Sequence, residues 1–137
     1  MENIYRFIVI DDNPINILVS ENIIQKASKN VQIKSFALAP LALQHIEEEY
    51  GEANSNKPTF LFLDLHMPVM DGFEFLERFM KLNPDIQTQF KIIVLSATAD
   101  NIELKKAIAY SCVMDYREKP LTIKVLKQLI EENAFSI

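Results

Sequence analysis

Thr59-Phe60-Leu61-Phe62-Leu63 (TFLFL) is apolar almost without interruption and stops at Asp64. A strand with one wet face alternates apolar and polar residues, so a continuous run predicts a strand covered on both faces. Such strands belong to parallel sheets flanked by helices. Upstream, Tyr5–Ile10 (YRFIVI) is a second short β-branched run, and it ends at Asp11-Asp12. Downstream, Lys91–Leu95 (KIIVL) is a third, ending at Ser96.

Helical patterns fill the intervals. Asn13-Pro14 pairs a capping residue with a proline suited to a first turn. Ile15, Leu18, Val19, Asn22 and Ile23 then follow at helical spacing to about Ser28. Val31–Phe36 (VQIKSF) alternates, as an outer strand does. Pro40 opens a helix to about Glu49, and the polar stretch Gly51–Pro58 reads as a loop open to flexibility or insertion. Phe73, Leu76, Phe79 and Met80 mark one face of a third helix, which stops before Asn83-Pro84. Asp100 caps a helix through Ala109, and Cys112–Tyr116 is a fifth strand. Thr122 caps a last helix with Leu126, Leu129 and Ile130 on its inner face. Five strand-helix repeats predict a parallel α/β sheet with right-handed crossovers. By analogy with known folds of this kind, the expected strand order is 2-1-3-4-5, a flavodoxin-like doubly wound (βα)5 domain.

At 137 residues, residues 1–137 are expected to form one domain without an output domain. Hydrophobic residues make up 49% and charged residues 24%, enough for a core without staples. The one cysteine, Cys112, precludes an internal disulfide and suits a reducing compartment. Residues 1–10 include Glu2 and Arg6 and lack a signal peptide's apolar region and cleavage site. No stretch approaches the roughly 18 apolar residues of a membrane helix. The chain is therefore expected to be cytoplasmic, with no membrane partner. A net charge of −5 weighs against nucleic-acid binding, and Lys105-Lys106 reads as a solvated helix face. With 2 glycines, no Gly-rich phosphate cradle can be drawn.

Ligands of open parallel sheets bind beyond the carboxyl ends of the strands. Asp11, Asp12, Asp64, Ser96 and Lys119 all follow strands and would meet there. Three converging carboxylates repel one another, and a hard divalent cation relieves that repulsion. Mg²⁺ (or Mn²⁺) would suit two carboxylates, a backbone carbonyl and waters. Such an ion could neutralise a transferring phosphoryl group. Asp64 could attack phosphorus to form an aspartyl phosphate. Ser96 offers a hydroxyl donor and Lys119 a compact positive charge.

Asp11-Asp12, Asp64-Leu65-His66-Met67-Pro68 with Asp71-Gly72, Ser96-Ala97 and Lys119-Pro120 together resemble the signature of response-regulator receiver domains. The resemblance runs from Phe7 to about Ile130. It implies that Asp64 is the phosphoacceptor, that Asp12 and Asp64 ligate the metal directly, and that Asp11 reaches it through water. The main-chain carbonyl of His66 would be the third protein ligand. Ser96 would be the switch hydroxyl, Lys119 the phosphate-contacting lysine and Tyr116 the switch aromatic. In the family that ring turns inward as the hydroxyl moves, remodelling the fourth helix, fifth strand and fifth helix. The family also often holds a cis peptide at the position of Lys119-Pro120. The implied partners are a histidine kinase or phosphotransfer protein and an unidentified downstream protein. A stand-alone regulator, monomer or weak dimer, is expected, with a receiver excised from a hybrid kinase as the alternative. The chain departs from the family at Tyr110-Ser111-Cys112-Val113, where glycine and a small residue are common.

Individually these residues have plainer readings. Asp11-Asp12 alone is a turn and helix cap, and Tyr116 alone a core aromatic. The ring of His66 reads as a surface imidazole, and His45 as facing solvent. Cys112 reads as a small buried hydrophobe, and Phe73, Phe75 and Phe79 as core and partner surface. A Mg²⁺-dependent phosphatase using an aspartyl phosphate would need a carboxylate two residues after the nucleophile and a substrate cap. His66 stands at that position. A degenerate, phosphorylation-independent binding module is the remaining alternative. Beyond self-phosphorylation from a donor and self-dephosphorylation, no enzyme activity is expected.

Overall fold

The computed structural model describes residues 4–51, 58–97 and 100–133. Five strands are present: β1 (Tyr5–Ile10), β2 (Val31–Phe36), β3 (Thr59–Asp64), β4 (Phe90–Ser96) and β5 (Val113–Glu118). They form one sheet in the order β2-β1-β3-β4-β5, with every neighbouring pair parallel. This is the order expected from the sequence. β3 lies at the centre and all six of its residues are buried, as its unbroken apolar run requires. β2, at an edge, keeps the half-exposed alternation of its sequence.

Successive strand residues face opposite sides of a sheet, so each strand feeds two cores. On one side Ile8, Ile10, Leu61, Leu63, Ile92 and Val94 meet α2 (Ala39–Glu49), α3 (Gly72–Phe79) and α5 (Asn101–Ile108). On the other, Phe7, Val9, Phe60, Phe62, Ile93 and Leu95 meet α1 (Pro14–Ala27) and α6 (Ile123–Asn133). Phe7 stacks on Phe60 and Phe62, with centroids 5.4 and 6.3 Å apart. Asn13, Asp100 and Thr122 accept main-chain hydrogen bonds in the caps expected of them.

The structure corrects some expectations and refines others. Asn83-Pro84 ends one helix and starts another: α4 (Pro84–Gln87), with the Asn83 side chain capping the Asp85 N–H. The same dipeptide supplies a stop, a cap and a first-turn proline, and the sequence reading used only the stop. The predicted fourth helix is therefore α5. β5 runs two residues further than expected, and its register against β4 shifts between Ile92 and Ile93, which face Val113 and Asp115. His45 does not simply face solvent. It is half-buried, its ring 5.3 Å from Phe36 and 6.2 Å from Tyr50, and burial lowers its pKa. Cys112 is half-buried against the core, and burial pushes its thiol up to about 11. Phe75 and Phe79 are core residues; Phe73 is half-buried beneath the Lys106 ammonium, 4.0 Å from the ring centroid. On α1, Ile15 and Leu18 are exposed while Ser20 and Ile24 are buried. Most of the expected Gly51–Pro58 loop lies outside the described residues. Among those described, no helix is long and apolar enough to cross a membrane.

Candidate functional site

The carboxyl edge of the sheet gathers the predicted residues. β1 delivers Asp11, whose N–H donates to the Phe36 carbonyl at 3.0 Å. The Asp11 carboxylate also accepts from the Asn13 N–H at 2.9 Å, which ties it to the start of α1. β3 delivers Asp64, which lies opposite Leu95 in β4. Ligand oxygens of Asp11, Asp12 and Asp64 all lie within 4.8 Å of one another; Asp11 and Asp64 are buried and Asp12 is exposed. Lys119, just past β5, sends its ammonium to Asp11 Oδ2 at 2.8 Å and Asp64 Oδ1 at 3.3 Å. Its main-chain N–H donates to the Ser96 carbonyl at 2.7 Å, which ties it to the end of β4. The Lys119-Pro120 peptide is cis.

Asp64 has a raised pKa. Burial is the main cause, the Asp11 charge adds to it, and Lys119 and the His66 N–H partly offset both. The pocket therefore resists carrying its full negative charge, and the Lys119 ammonium pairs with two of its three carboxylates. An all-oxygen donor set with excess negative charge fits a hard divalent cation such as Mg²⁺.

Ser96 is fully buried at the end of β4. Tyr116 is buried in the core on the α5 side of the sheet, opposite Val94. The His66 N–H donates to Asp64 Oδ1 at 3.4 Å, and its ring engages Glu103 of α5. Glu103 was not singled out from sequence, because it sits 37 residues away and in no motif. Behind Lys119, a cavity of about 50 Å³ is lined by Asn16, Ser20 and Leu121, which sequence reading also passed over.

Gly72 closes the loop beyond β3. Its N–H donates to the Leu65 carbonyl at 2.9 Å. A Cβ there would fall 2.7 Å from both the Asp64 carbonyl oxygen and Leu65 Cα. Asp71 caps α3 by accepting from the Glu74 N–H. The Asp71-Gly72 pair thus seats α3 directly against the Asp64-Leu65 segment. Between them, Val69 holds a φ of 71°.

A 2-1-3-4-5 parallel sheet with an acidic pocket at its carboxyl edge places the protein in the flavodoxin-like class of doubly wound domains. The chain belongs to the response regulator receiver domain family, which it matches over residues 7–131. It is 27% identical to a probable C4-dicarboxylate response regulator from Halalkalibacterium halodurans, over 96% of this chain and 52% of the relative. It is also 27% identical to a two-component response regulator from Oryza sativa subsp. japonica, over 90% of this chain and 19% of the relative. The chain thus spans about half or less of these curated relatives. A two component response regulator from Cytophaga hutchinsonii has a TM-score of 0.84 and 26% identity, covering 96% of this chain and 97% of that one. A receiver protein from Dyadobacter fermentans has a TM-score of 0.82 and 26% identity, covering 93% and 96%.

Proposed function

We propose that this receiver domain is a phosphorylation-controlled switch in which Asp64 accepts a phosphoryl group from a phosphohistidine on a histidine kinase or phosphotransfer protein. The observation that carries the proposal is the Lys119 ammonium bridging Asp11 and Asp64 inside a three-carboxylate pocket. An Asp64 oxygen forms the new P–O bond as the donor's P–N bond breaks and the imidazole leaves with its electron pair. Asp11, Asp12, Asp64 and the His66 carbonyl would hold Mg²⁺ or Mn²⁺, which neutralises phosphoryl charge when bound. Lys119 binds a phosphoryl oxygen and so exchanges a carboxylate partner for a phosphate one. Ser96 donates its hydroxyl to another oxygen. Water attack on phosphorus then breaks the Asp64 O–P bond, releasing inorganic phosphate and restoring the free carboxylate.

Output then depends on two arrangements of Ser96 and Tyr116, one of which the phosphoryl group favours. The remodelled surface of α5, β5 and α6 would engage a downstream protein in the cytoplasm. The chain acts as a signalling element and not as an enzyme on an external substrate. The residue two positions after Asp64 is His66, not the carboxylic acid a phosphatase of this chemistry would use.

The test is intact-mass spectrometry after incubation with a small-molecule phosphodonor, with and without Mg²⁺. A Mg²⁺-dependent gain of one phosphoryl group in wild type, absent in Asp64→Asn, is expected. A folded wild-type protein that gains nothing, beside a control receiver that does, would leave a phosphorylation-independent binding module as the reading.

A further inference from the structure

His66 touches two parts of the molecule through different atoms. Its main-chain N–H donates to the Asp64 carboxylate at 3.4 Å. Its ring Nε2 lies 3.1 and 2.9 Å from the two carboxylate oxygens of Glu103. The first bond is long, near the limit of a useful hydrogen bond, so it cannot hold the segment in place by itself. The second is short and engages both oxygens.

Glu103 is the better anchored partner. Its side chain is 20% exposed, against 62% for His66. It occupies the first turn of α5, where an acidic residue is favoured by the helix dipole. That turn is fixed by the Asp100 cap and by Leu104 and Ala107 packing into the core. Glu103 is engaged by an imidazole that also belongs to the loop after Asp64.

We propose that Glu103 is a positioning residue for phosphoryl chemistry at Asp64. By holding the His66 ring, it fixes the main chain of residues 64–66 against the acceptor and ties that segment to the start of α5. This inference rests on the reading of Asp64 as the acceptor. Small displacements of a reacting group are costly in rate, so a tether on its neighbour is felt in the chemistry. The pair is partly exposed, so the effect is modest.

The experiment compares labelling rates by a small phosphodonor at saturating Mg²⁺ in wild type, Glu103→Ala, His66→Ala, the double variant and Glu103→Gln. Glu103→Ala should label about two- to fivefold more slowly, and His66→Ala equally so. The double variant should be no slower than either single one. Glu103→Gln, which retains an acceptor oxygen, should restore most of the rate lost in the alanine variant. In ¹⁵N spectra, Glu103→Ala should shift the His66 ring resonances and leave those of His45 in place. A wild type that does not label sinks the proposed function itself, before Glu103 is at issue. A wild type that labels overturns this inference if Glu103→Ala keeps its rate, if the two alanine effects multiply, or if glutamine is as slow as alanine. Should Glu103→Ala fail to fold, a slow His66→Ala beside a Glu103→Gln near the wild-type rate supports the inference, and equal rates in those two variants overturn it.

Discussion

A Cβ on Gly72 would sit 2.7 Å from the carbonyl oxygen of Asp64, so the start of α3 and the end of β3 approach as closely as two backbones allow. Both atoms it would meet at that distance are main-chain, and neither can swing aside. Gly72→Ala should therefore destabilise the domain by about 1–3 kcal/mol, the usual penalty of overpacking. Urea denaturation measures this, and a change below about 0.5 kcal/mol would show that the loop relaxes freely. On the proposed function, labelling of Asp64 should slow in the same variant, because the displaced atoms belong to Asp64 itself.

Lys119→Met removes the only ammonium bridging Asp11 and Asp64 among the described residues. Labelling by a small phosphodonor should fall by about 10²-fold or more, as when a preorganised electrostatic donor is lost. In metal-free buffer the variant should also melt lower than wild type, since buried carboxylates lose their partner. Added Mg²⁺ should recover part of that loss, as a thermal melt with and without the ion would reveal.

Asp64 gives metal-free stability a definite pH dependence. Its folded pKa is raised, chiefly by burial and next by Asp11. The folded state therefore binds the Asp64 proton more tightly than the unfolded state does. This contribution is full below the unfolded value of 3.8 and is lost as pH rises through the folded value. Asp64→Asn should accordingly raise the melting temperature of the metal-free protein near neutral pH. Mg²⁺ at a hundredfold excess over its Kd should stabilise wild type by about 2.7 kcal/mol. The gain should shrink as pH falls toward the Asp64 pKa. Equal Mg²⁺ stabilisation of wild type and Asp64→Asn would argue that the ion binds elsewhere.

His45 acts with the opposite slope. Burial lowers its folded pKa below 6.5, so the unfolded chain takes up the proton first. Its neutral form contributes stability above pH 6.5 that is lost as pH falls through the interval down to the folded pKa. His45→Gln should flatten that part of the stability profile while leaving labelling of Asp64 intact.

Val69 carries backbone strain on the loop after β3. It holds a φ of 71° and is 81% exposed, so a β-branched side chain occupies the left-handed region with little packing in return. Val69→Asn should stabilise the domain by about 0.5–1 kcal/mol in urea denaturation. No gain would mean that the loop distributes the strain over its neighbours.

The sheet was legible because its signal is local. The run from Thr59 to Asp64 announces a doubly covered strand, and the site follows from what stands at each strand's end. Asn83-Pro84 was half legible, since one dipeptide does the work of a terminator and of a new helix start. The shifted β5 register was not legible, because a bulge depends on how two strands meet and leaves no mark in either alone. His45 shows the same limit: its helix was clear, but the aromatic wall made by Phe36 and Tyr50 comes from other elements. Glu103 was invisible for the most physical reason. Its partner lies across two whole helices and a strand, and only the folded sheet sets α5 beside the loop after β3.

The half-buried thiol of Cys112 has a practical consequence. With its pKa pushed up to about 11, about one molecule in ten thousand carries the thiolate at pH 7. An ordinary exposed cysteine, with a pKa of about 8.5, carries a few per cent. A cysteine engineered onto the surface would thus react with a maleimide about a hundredfold faster or more than the native one. Fluorophores or spin labels can be attached at chosen positions with Cys112 left in place, and its packing against the core undisturbed.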